Sequence, residues 1–397
     1  MRALFSAGIF SLILAYMLSQ FYRAFLAVLS PVLQSELGAA PDTLALSSGL
    51  WFLAFTVMQI PIGRALDRVG PRRTVACLLA IGGAGGAAVF ALATAPWHLH
   101  VAMALLGVGC SPALMGSYYI FARNYPPATL GALGGATIGI GSLGNILGST
   151  PLVWMIEALG WRNALWAMAA VTLLVALAVL MLVRDPERIA DDSPRGSLAE
   201  ILRLRAIWFI LPLLFVSYSA PAAIRGLWAG PYLSQVFGAS DQVIGHATLV
   251  MGLAMVASNF AVGWFARLAR SPRRAALILN AVAVAVLLAL WLFPALSLSL
   301  SIALLGLIAI IAAAYPLLMS HGRAFLPQHL VGQGVTFLNM FSIGGVGALQ
   351  FASGPWFAQA AQTGDPAHAC SRLFLFFAIP LTVGVMLYLL TPEAPDA

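Results

Sequence analysis

Apolar runs of 18 residues or more recur along the whole chain, separated by short turns that carry arginine. A run of that length crosses the hydrocarbon core as a helix, and a helix satisfies its own backbone polar groups inside a bilayer. Of the 397 residues, 61% are hydrophobic and 8% charged, where soluble proteins carry about 25% charged residues. The chain therefore reads as an all-α polytopic membrane protein. Twelve transmembrane helices are predicted, over residues 6–33, 44–66, 73–94, 97–122, 130–156, 162–183, 206–236, 242–266, 274–294, 297–321, 331–359 and 370–390.

The formal net charge is +7, and every basic residue is arginine. Such a balance raises nucleic acid as a partner, but these arginines lie in turns between spans, where the positive-inside rule accounts for them. One side collects Arg64, Arg68, Arg72, Arg73, Arg123, the arginines of residues 184–205, Arg267, Arg270, Arg273, Arg274 and Arg323. The other holds Arg162 and Arg372 among Glu36, Asp42, Asp241 and Asp365. Both termini are thus expected in the cytoplasm, with the protein in the cell inner membrane. Met1-Arg2 and the run behind them look like a signal peptide, but the run continues through Tyr22 and Arg23 and lacks a small-residue cleavage site. An uncleaved first helix is the expectation. Residues 184–205 are the one long polar stretch and read as a cytoplasmic linker between an N-terminal bundle, 1–183, and a C-terminal bundle, 206–397. Ser197 and Glu200 form a capping-box pattern that starts a short helix there.

The chain also repeats itself. Pro31, Leu33, Gly38, Ala39 and Gly63 recur 200 residues later as Pro231, Leu233, Gly238, Ala239 and Gly263. Arg123, Pro127 and Leu130 recur as Arg323, Pro327 and Leu330. Two related membrane halves are the usual plan of a secondary transporter, with the substrate site between them.

Gly63-Arg-Ala-Leu-Asp67-Arg68-Val-Gly70-Pro-Arg72-Arg73 resembles the G-x-x-x-D-R-x-G-R-R loop between helices 2 and 3 of the major facilitator superfamily. The second copy keeps Gly263, Pro272, Arg273 and Arg274, with Arg267 in place of the aspartate. The resemblance implies two pseudo-symmetric six-helix bundles. It also implies a gating role for Gly63, Asp67, Arg68, Gly70, Arg72, Arg73, Arg123 and Arg323. Asp67 would accept charge-assisted hydrogen bonds from a neighbouring helix end or arginine. Gly63 and Gly70 would permit close helix approach and a tight turn.

Ionisable groups within spans are costly and point to function. No Asp or Glu falls mid-span, and Met103-Ala-Leu-Leu-Gly107 stands where many drug–proton antiporters of the superfamily carry an arginine. Arg23 and Arg225, by contrast, lie well inside the first and seventh spans, beside Tyr22 and near Tyr218 and Trp228. An unpaired guanidinium there calls for an anion, water or carbonyls, and an anionic substrate could bind it through two parallel hydrogen bonds. The pair resembles that of the organophosphate–phosphate antiporters, whose two helices face each other across the cavity. Arg225, however, lies six residues before Pro231 and Arg23 eight before Pro31. Two residues turn a side chain by about 200°, so a local break near Pro221 and Gly226 is needed to restore the geometry. The alternative for each arginine is a side chain reaching the outer membrane surface.

Further candidate contacts on cavity-lining spans are Gln20, Gln59, Tyr118, Tyr119, Asn145, Asn259, Tyr315, Asn339 and Gln350, each by itself more readily an interhelical hydrogen bond than a ligand. Gly139, Gly141, Gly144 and Gly148 surround Asn145 and suit close helix packing. Met251 and Met255 share a helix face with His246 one turn earlier, a soft donor set for Cu(I) that resembles copper importers of the superfamily. The next span has neither His nor Met, and packing methionines are the better reading. Cys77, Cys110 and Cys370 are far apart and form no disulfide or metal pattern. No nucleophile–base pair or nucleotide loop is present, so neither an enzyme nor a cofactor is expected.

The sequence thus predicts a monomeric carrier of a small organic anion. Export of hydrophobic compounds, import of copper, and a non-transporting receptor or assembly factor on the same fold are the alternatives.

Overall fold

The computed structural model describes residues 6–124, 127–186, 198–327 and 331–393. Among them there is no strand, and the described helices group into twelve long segments and one short linker helix. Segment α1 is the pair Ala7–Ala24 and Leu26–Leu37, bent by 48°. It is followed by α2 (Pro41–Arg68), α3 (Pro71–Ala91) and α4 (Pro96–Cys110 with Pro112–Asn124). Next come α5 (Pro127–Gly141, Leu143–Leu147 and Thr150–Leu159) and α6 (Trp161–Leu182). The later segments are α7 (Arg205–Phe237), α8 (Asp241–Leu268), α9 (Pro272–Leu292), α10 (Leu298–Ala324), α11 (Val331–Ala361) and α12 (Pro366–Tyr388). A short helix, Leu198–Leu202, succeeds the expected cap, but Ser197 and the linker residues 187–197 lie outside the described residues.

Two compact units emerge: Met1–Asp191 with Asp241–Leu249, and Asp192–Ser240 with Val250–Ala397. Each carries one copy of the sequence repeat, and the copies fold alike. Gly38 takes φ 64° and Gly238 φ 62°, ending α1 and α7 in left-handed caps. The N–H of Ala39 donates to Leu33 O at 3.2 Å, and that of Ala239 to Leu233 O at 3.1 Å. The glycine N–H groups also donate four residues back, to Gln34 O and Ser234 O, so these closures are left-handed glycine caps one residue wider than a Schellman motif, and they need a residue free to take positive φ and a fixed spacing back into the helix. The repeated Leu, Gly and Ala are therefore the cap itself.

Prolines open α2, α3, α4, α9 and α12 at their first turn, where a missing N–H costs nothing. Pro31, inside α1, cannot donate to Ala27 O; the Ser30 hydroxyl does so instead at 2.9 Å.

In the first unit, glycines set the helix spacing. A Cβ at Gly144 would fall on Met17 O, and one at Gly141 on the Tyr16 ring, so α5 lies directly on α1. Gly107 of α4 rests on Trp51 O of α2, and Gly109 on Gly83 of α3. The single fifth span expected at 130–156 is instead three pieces. Ser142 Oγ bonds back to Ile138 O at 2.7 Å and Ser149 Oγ to Ile146 O, and Pro151 opens the last piece. These bonds compete with the helical ladder at both breaks. Where α1 ends and α6 begins, Glu36 Oε2 accepts from Trp161 Nε1 at 2.9 Å and from Arg162 Nη1 at 2.6 Å, while Arg162 Nη2 donates to Ala93 O at 3.1 Å.

In the second unit, a Cβ at Gly345 would fall on Phe215 O, which places α11 against α7. Tyr232 Oη donates to Pro294 O at 2.6 Å and lies 2.8 Å from Ser301 Oγ.

Candidate functional site

Arg23 closes the first piece of α1, two residues before its bend. Trp51 and Phe55, one turn apart on α2, stack with ring centroids 5.1 Å apart and planes 18° from parallel. The Arg23 guanidinium carbon lies 4.9 Å from each ring centroid. The aromatic faces supply part of what a carboxylate would otherwise give, and for a partly buried guanidinium such contacts contribute about 0.5–2 kcal/mol. Arg23 makes no ion pair among the described residues, and its Nε is buried without a partner. The side chain is held in position with hydrogen-bonding capacity left over.

In the second unit, Arg225 is 3% exposed and sits in a π-helical turn, Ile224–Trp228, within α7. Its Nη2 lies 3.2 Å from where a Cβ on Gly252 of α8 would stand, so the missing side chain makes room for the guanidinium. The π-turn is a local break in α7 and contains Gly226, one of the two residues near which a break was expected. It carries one residue more per turn than an α-helix and rotates the two flanking stretches of α7 by up to about 100° relative to each other. That takes up roughly half of the offset between Arg225 and the Arg23 pattern. Around it, Trp228 Nε1 donates to Ser353 Oγ of α11 at 3.0 Å, the Tyr218 and Tyr315 rings are 5.8 Å apart, and Tyr315 Oη donates to Asn339 Oδ1 at 2.7 Å. Four of the sequence candidates, Tyr218, Trp228, Tyr315 and Asn339, thus have their contacts in the unit that holds Arg225.

Other candidates are occupied by packing. Tyr22 is fully buried, its hydroxyl 2.8 Å from Thr172 Oγ1 of α6. Gln59 Nε2 donates to Phe55 O at 3.2 Å and to Ser111 O at 3.5 Å. Tyr118 rests on Gly134 of α5, Tyr119 lies beneath Arg123 with 5.2 Å from guanidinium carbon to ring centroid, and Asn145 is buried on α5. Asn259 is partly buried. Met251 and Met255 are buried and His246 is exposed. No group of three or more His, Cys, Asp or Glu side chains suited to a metal occurs among the described residues.

The loop between α2 and α3 has a partner absent from the sequence-based candidates. Gly70 takes φ 96°, as a tight turn requires, and a Cβ there would meet the Asp185 carboxylate at 2.7 Å. Asp185 Oδ1 accepts from the backbone N of Arg72 at 2.8 Å, and Arg72 Nε donates to Leu180 O at 2.5 Å. The second unit repeats the device: Arg273 Nη2 donates to Leu389 O at 2.8 Å, and Arg273 Nη1 and Arg274 Nε each lie 3.3 Å from Glu393 Oε1. The signal that could have found these acids is an acid–proline pair after the last helix of each half, Asp185-Pro186 and Pro392-Glu393. The expectation of close helix approach at Gly63 is corrected: a Cβ there, as at Gly263, meets no described atom within 4 Å. The backbone of Asp67 is helical, but its side chain lies outside the description; Arg68, Arg73 and Arg323 are exposed. Trp51 and Phe55 were legible only as an aromatic pair at one-turn spacing.

A family model described as Major Facilitator Superfamily matches residues 12–350. Over 160 residues the chain is 26% identical to the "Probable sulfoacetate transporter SauU" of Cupriavidus necator, covering 40% of this chain and 37% of that protein. Over 273 residues it is 20% identical to the "Uncharacterized transporter YybO" of Bacillus subtilis, covering 62% and 61%. The matches thus span less than two thirds of either relative. Among solved structures, the D-xylose–proton symporter superposes with TM-score 0.78 at 14% identity, over 98% of both chains. A bacterial homologue of the human lysosomal transporter Spinster, inward-facing and occupied, gives 0.73 at 17% over 96% of both. The nucleoside transporter NupG gives 0.74 at 16%, over 98% of this chain and all of that one. At these identities the superpositions establish the fold.

Proposed function

Because this chain belongs to the Major Facilitator Superfamily, we propose that it carries a small organic anion across the cell inner membrane by alternating access, with Arg23 of the first unit and Arg225 of the second each a candidate contact for its charge. The observation that carries this reading is Arg23: a guanidinium within a membrane helix, seated on two aromatic faces and without an acid among the described residues. A cation kept there is costly. An anion offsets that cost when it binds and leaves the site ready again when it departs. Arg225, 3% exposed in its π-turn, supports the same chemistry in the second unit. The relative named for sulfoacetate suggests sulfonates and carboxylates as the first class to try. Both termini are placed in the cytoplasm on the arginine distribution.

The test is uptake by the purified protein in proteoliposomes against a panel of carboxylates, sulfonates and phosphate esters. Uptake of at least one, lost in Arg23→Ala with folded yield unchanged, supports the reading. A full panel without uptake, or uptake indifferent to that substitution, refutes it. An apolar cavity of about 150 Å³ in the first unit, lined by residues including Met17, Phe21, Leu152, Met155 and Met168, favours export of hydrophobic compounds as a second reading. Resistance to such compounds should then depend on the protein and tolerate Arg23→Ala.

A further inference from the structure

His321, in the last turn of α10, has both ring nitrogens engaged. Its Nδ1 lies 2.7 Å from Tyr388 Oη of α12, and its Nε2 lies 3.2 Å from Pro392 O in the segment that follows that helix. The histidine is 1% exposed and Tyr388 is fully buried. Phe325 and Tyr388 stand edge-on to the imidazole, with centroids 5.2 and 5.5 Å away. The offset of 200 that relates Arg123 to Arg323 puts Phe121 at the corresponding place in the first unit. A phenylalanine cannot titrate, so the contact is particular to the second unit.

The two partners fix the state of the ring. Pro392 O only accepts, so Nε2 carries a hydrogen. In a neutral imidazole Nδ1 is then the acceptor, and it takes the Tyr388 hydroxyl. A second proton would go on Nδ1. The Tyr388 hydroxyl hydrogen would then face a donor, and Tyr388 Oη has no other hydrogen-bond partner among the described residues. A buried hydroxyl would lose its acceptor as a charge enters an aromatic surround, and both are costly. Neutral His321 satisfies this contact; protonated His321 does not.

The charges that bear on the ring are Arg273 of α9 and Glu393 of the terminal segment, opposite in sign. Arg274 of α9 shares Glu393, and Arg323, on the same helix as His321, is exposed. From α11 and α7, Leu338 and Ile210 pack on the adjoining Gly322 and carry no charge. Neither ring nitrogen bonds a carboxylate. The terminal segment has few other holds. Arg273 Nη2 donates to Leu389 O, and Glu393 reaches Arg273 and Arg274 at 3.3 Å. Thr391 is buried with its hydroxyl unpaired among the described residues.

We propose that His321 is a proton-operated catch on residues 389–393. Neutral, it fastens that segment to the ends of α10 and α12; protonated, it lets go. Histidine is the side chain that ordinarily changes charge between about pH 5 and 8. The arginine distribution puts this end of the second unit in the cytoplasm, so the signal is acidification of the cell interior. The catch is regulatory and stands whether or not the solute is an anion.

Hydrogen exchange at residues 389–391 of the purified full chain tests it, read as protection relative to the intrinsic rate at each pH. From about pH 7.5 to about pH 5.5, protection is expected to fall about tenfold. Glu393 stays ionised across that window, since its carboxyl lies below the ordinary 4.5. His321→Gln keeps a donor and an acceptor but cannot take up the charge, and should abolish the step. Tyr388→Phe keeps the ring and removes the hydroxyl that protonation strands. It should lower protection at neutral pH and shrink the step, and it serves if the first variant folds poorly. Protection that is equal at both pH values, or an unchanged step in either folded variant, overturns the catch and leaves the anion reading untouched.

Discussion

The backbone N–H of Arg72 donates to the carboxylate of Asp185 at 2.8 Å, across 113 residues of sequence. Asp185 thereby caps the start of α3 from the segment that leaves α6, and the loop on which the superfamily resemblance rests is tied to the far end of its own unit. Asp185→Ala should cost about 1 kcal/mol, the usual loss of a helix cap. Thermal unfolding in detergent checks it, and a variant as stable as the parent would show the cap to be idle.

Gly70 faces that carboxylate at φ 96°. Gly70→Ala adds a left-handed backbone strain to a clash, and should destabilise by more than about 1 kcal/mol. In the double variant with Asp185→Ala the clash is gone while the strain persists. The penalty for Gly70→Ala should then be smaller than in the parent, as a double-mutant cycle would read.

Glu393 ties the segment after α12 to Arg273 and Arg274. Burial alone would raise its pKa, but hydrogen bonds from Ser271 and Arg273 and the charges of both arginines outweigh it, so it lies below the ordinary 4.5. A carboxylate lowered on folding contributes stability that is present above its unfolded value and is lost as pH falls through its folded one. The tether should therefore hold at neutral pH and weaken below pH 4.5. Hydrogen exchange at residues 389–393, compared with Glu393→Gln, should differ at pH 7 and converge in acid. A difference unchanged by acid would contradict the assignment.

Trp51 and Phe55 seat the Arg23 guanidinium. Trp51→Leu keeps an apolar side chain and removes one face, for a loss of about 0.5–2 kcal/mol. Anion binding should weaken roughly two- to thirtyfold while Arg23→Lys, which keeps charge but not the planar fork, weakens it further. Calorimetry on the parent's best anion decides.

Gly144 has no room for a side chain, since a Cβ would fall on Met17 O. Gly144→Val should force α5 away from α1 and cost about 1–3 kcal/mol. The folded fraction on size exclusion should drop, and Gly160→Val cannot serve as a control because Gly160 itself has φ 76°; Gly63→Ala, in open space, can.

Residues adjacent in the chain settle the local features. Run length made the helices and put them in a membrane. The repeated Leu33, Gly38 and Ala39 were legible because a glycine cap closes within seven residues, and Gly226 lies in the break of α7 at Ile224–Trp228, whose rotation is about half of the offset between Arg225 and the Arg23 pattern. Packing between helices, and nothing local, settled that Trp51 and Phe55 carry Arg23, that Asp185 rather than a nearer acid meets Arg72, that Tyr22 is spent on Thr172, and that Gln20 and Gln350 keep unpaired oxygens. Each residue turns a helix by about 100°, so which side chain meets a neighbouring helix depends on how whole helices rotate and cross. That arrangement is fixed by glycine contacts and packing far apart in the chain, and no local pattern encodes it.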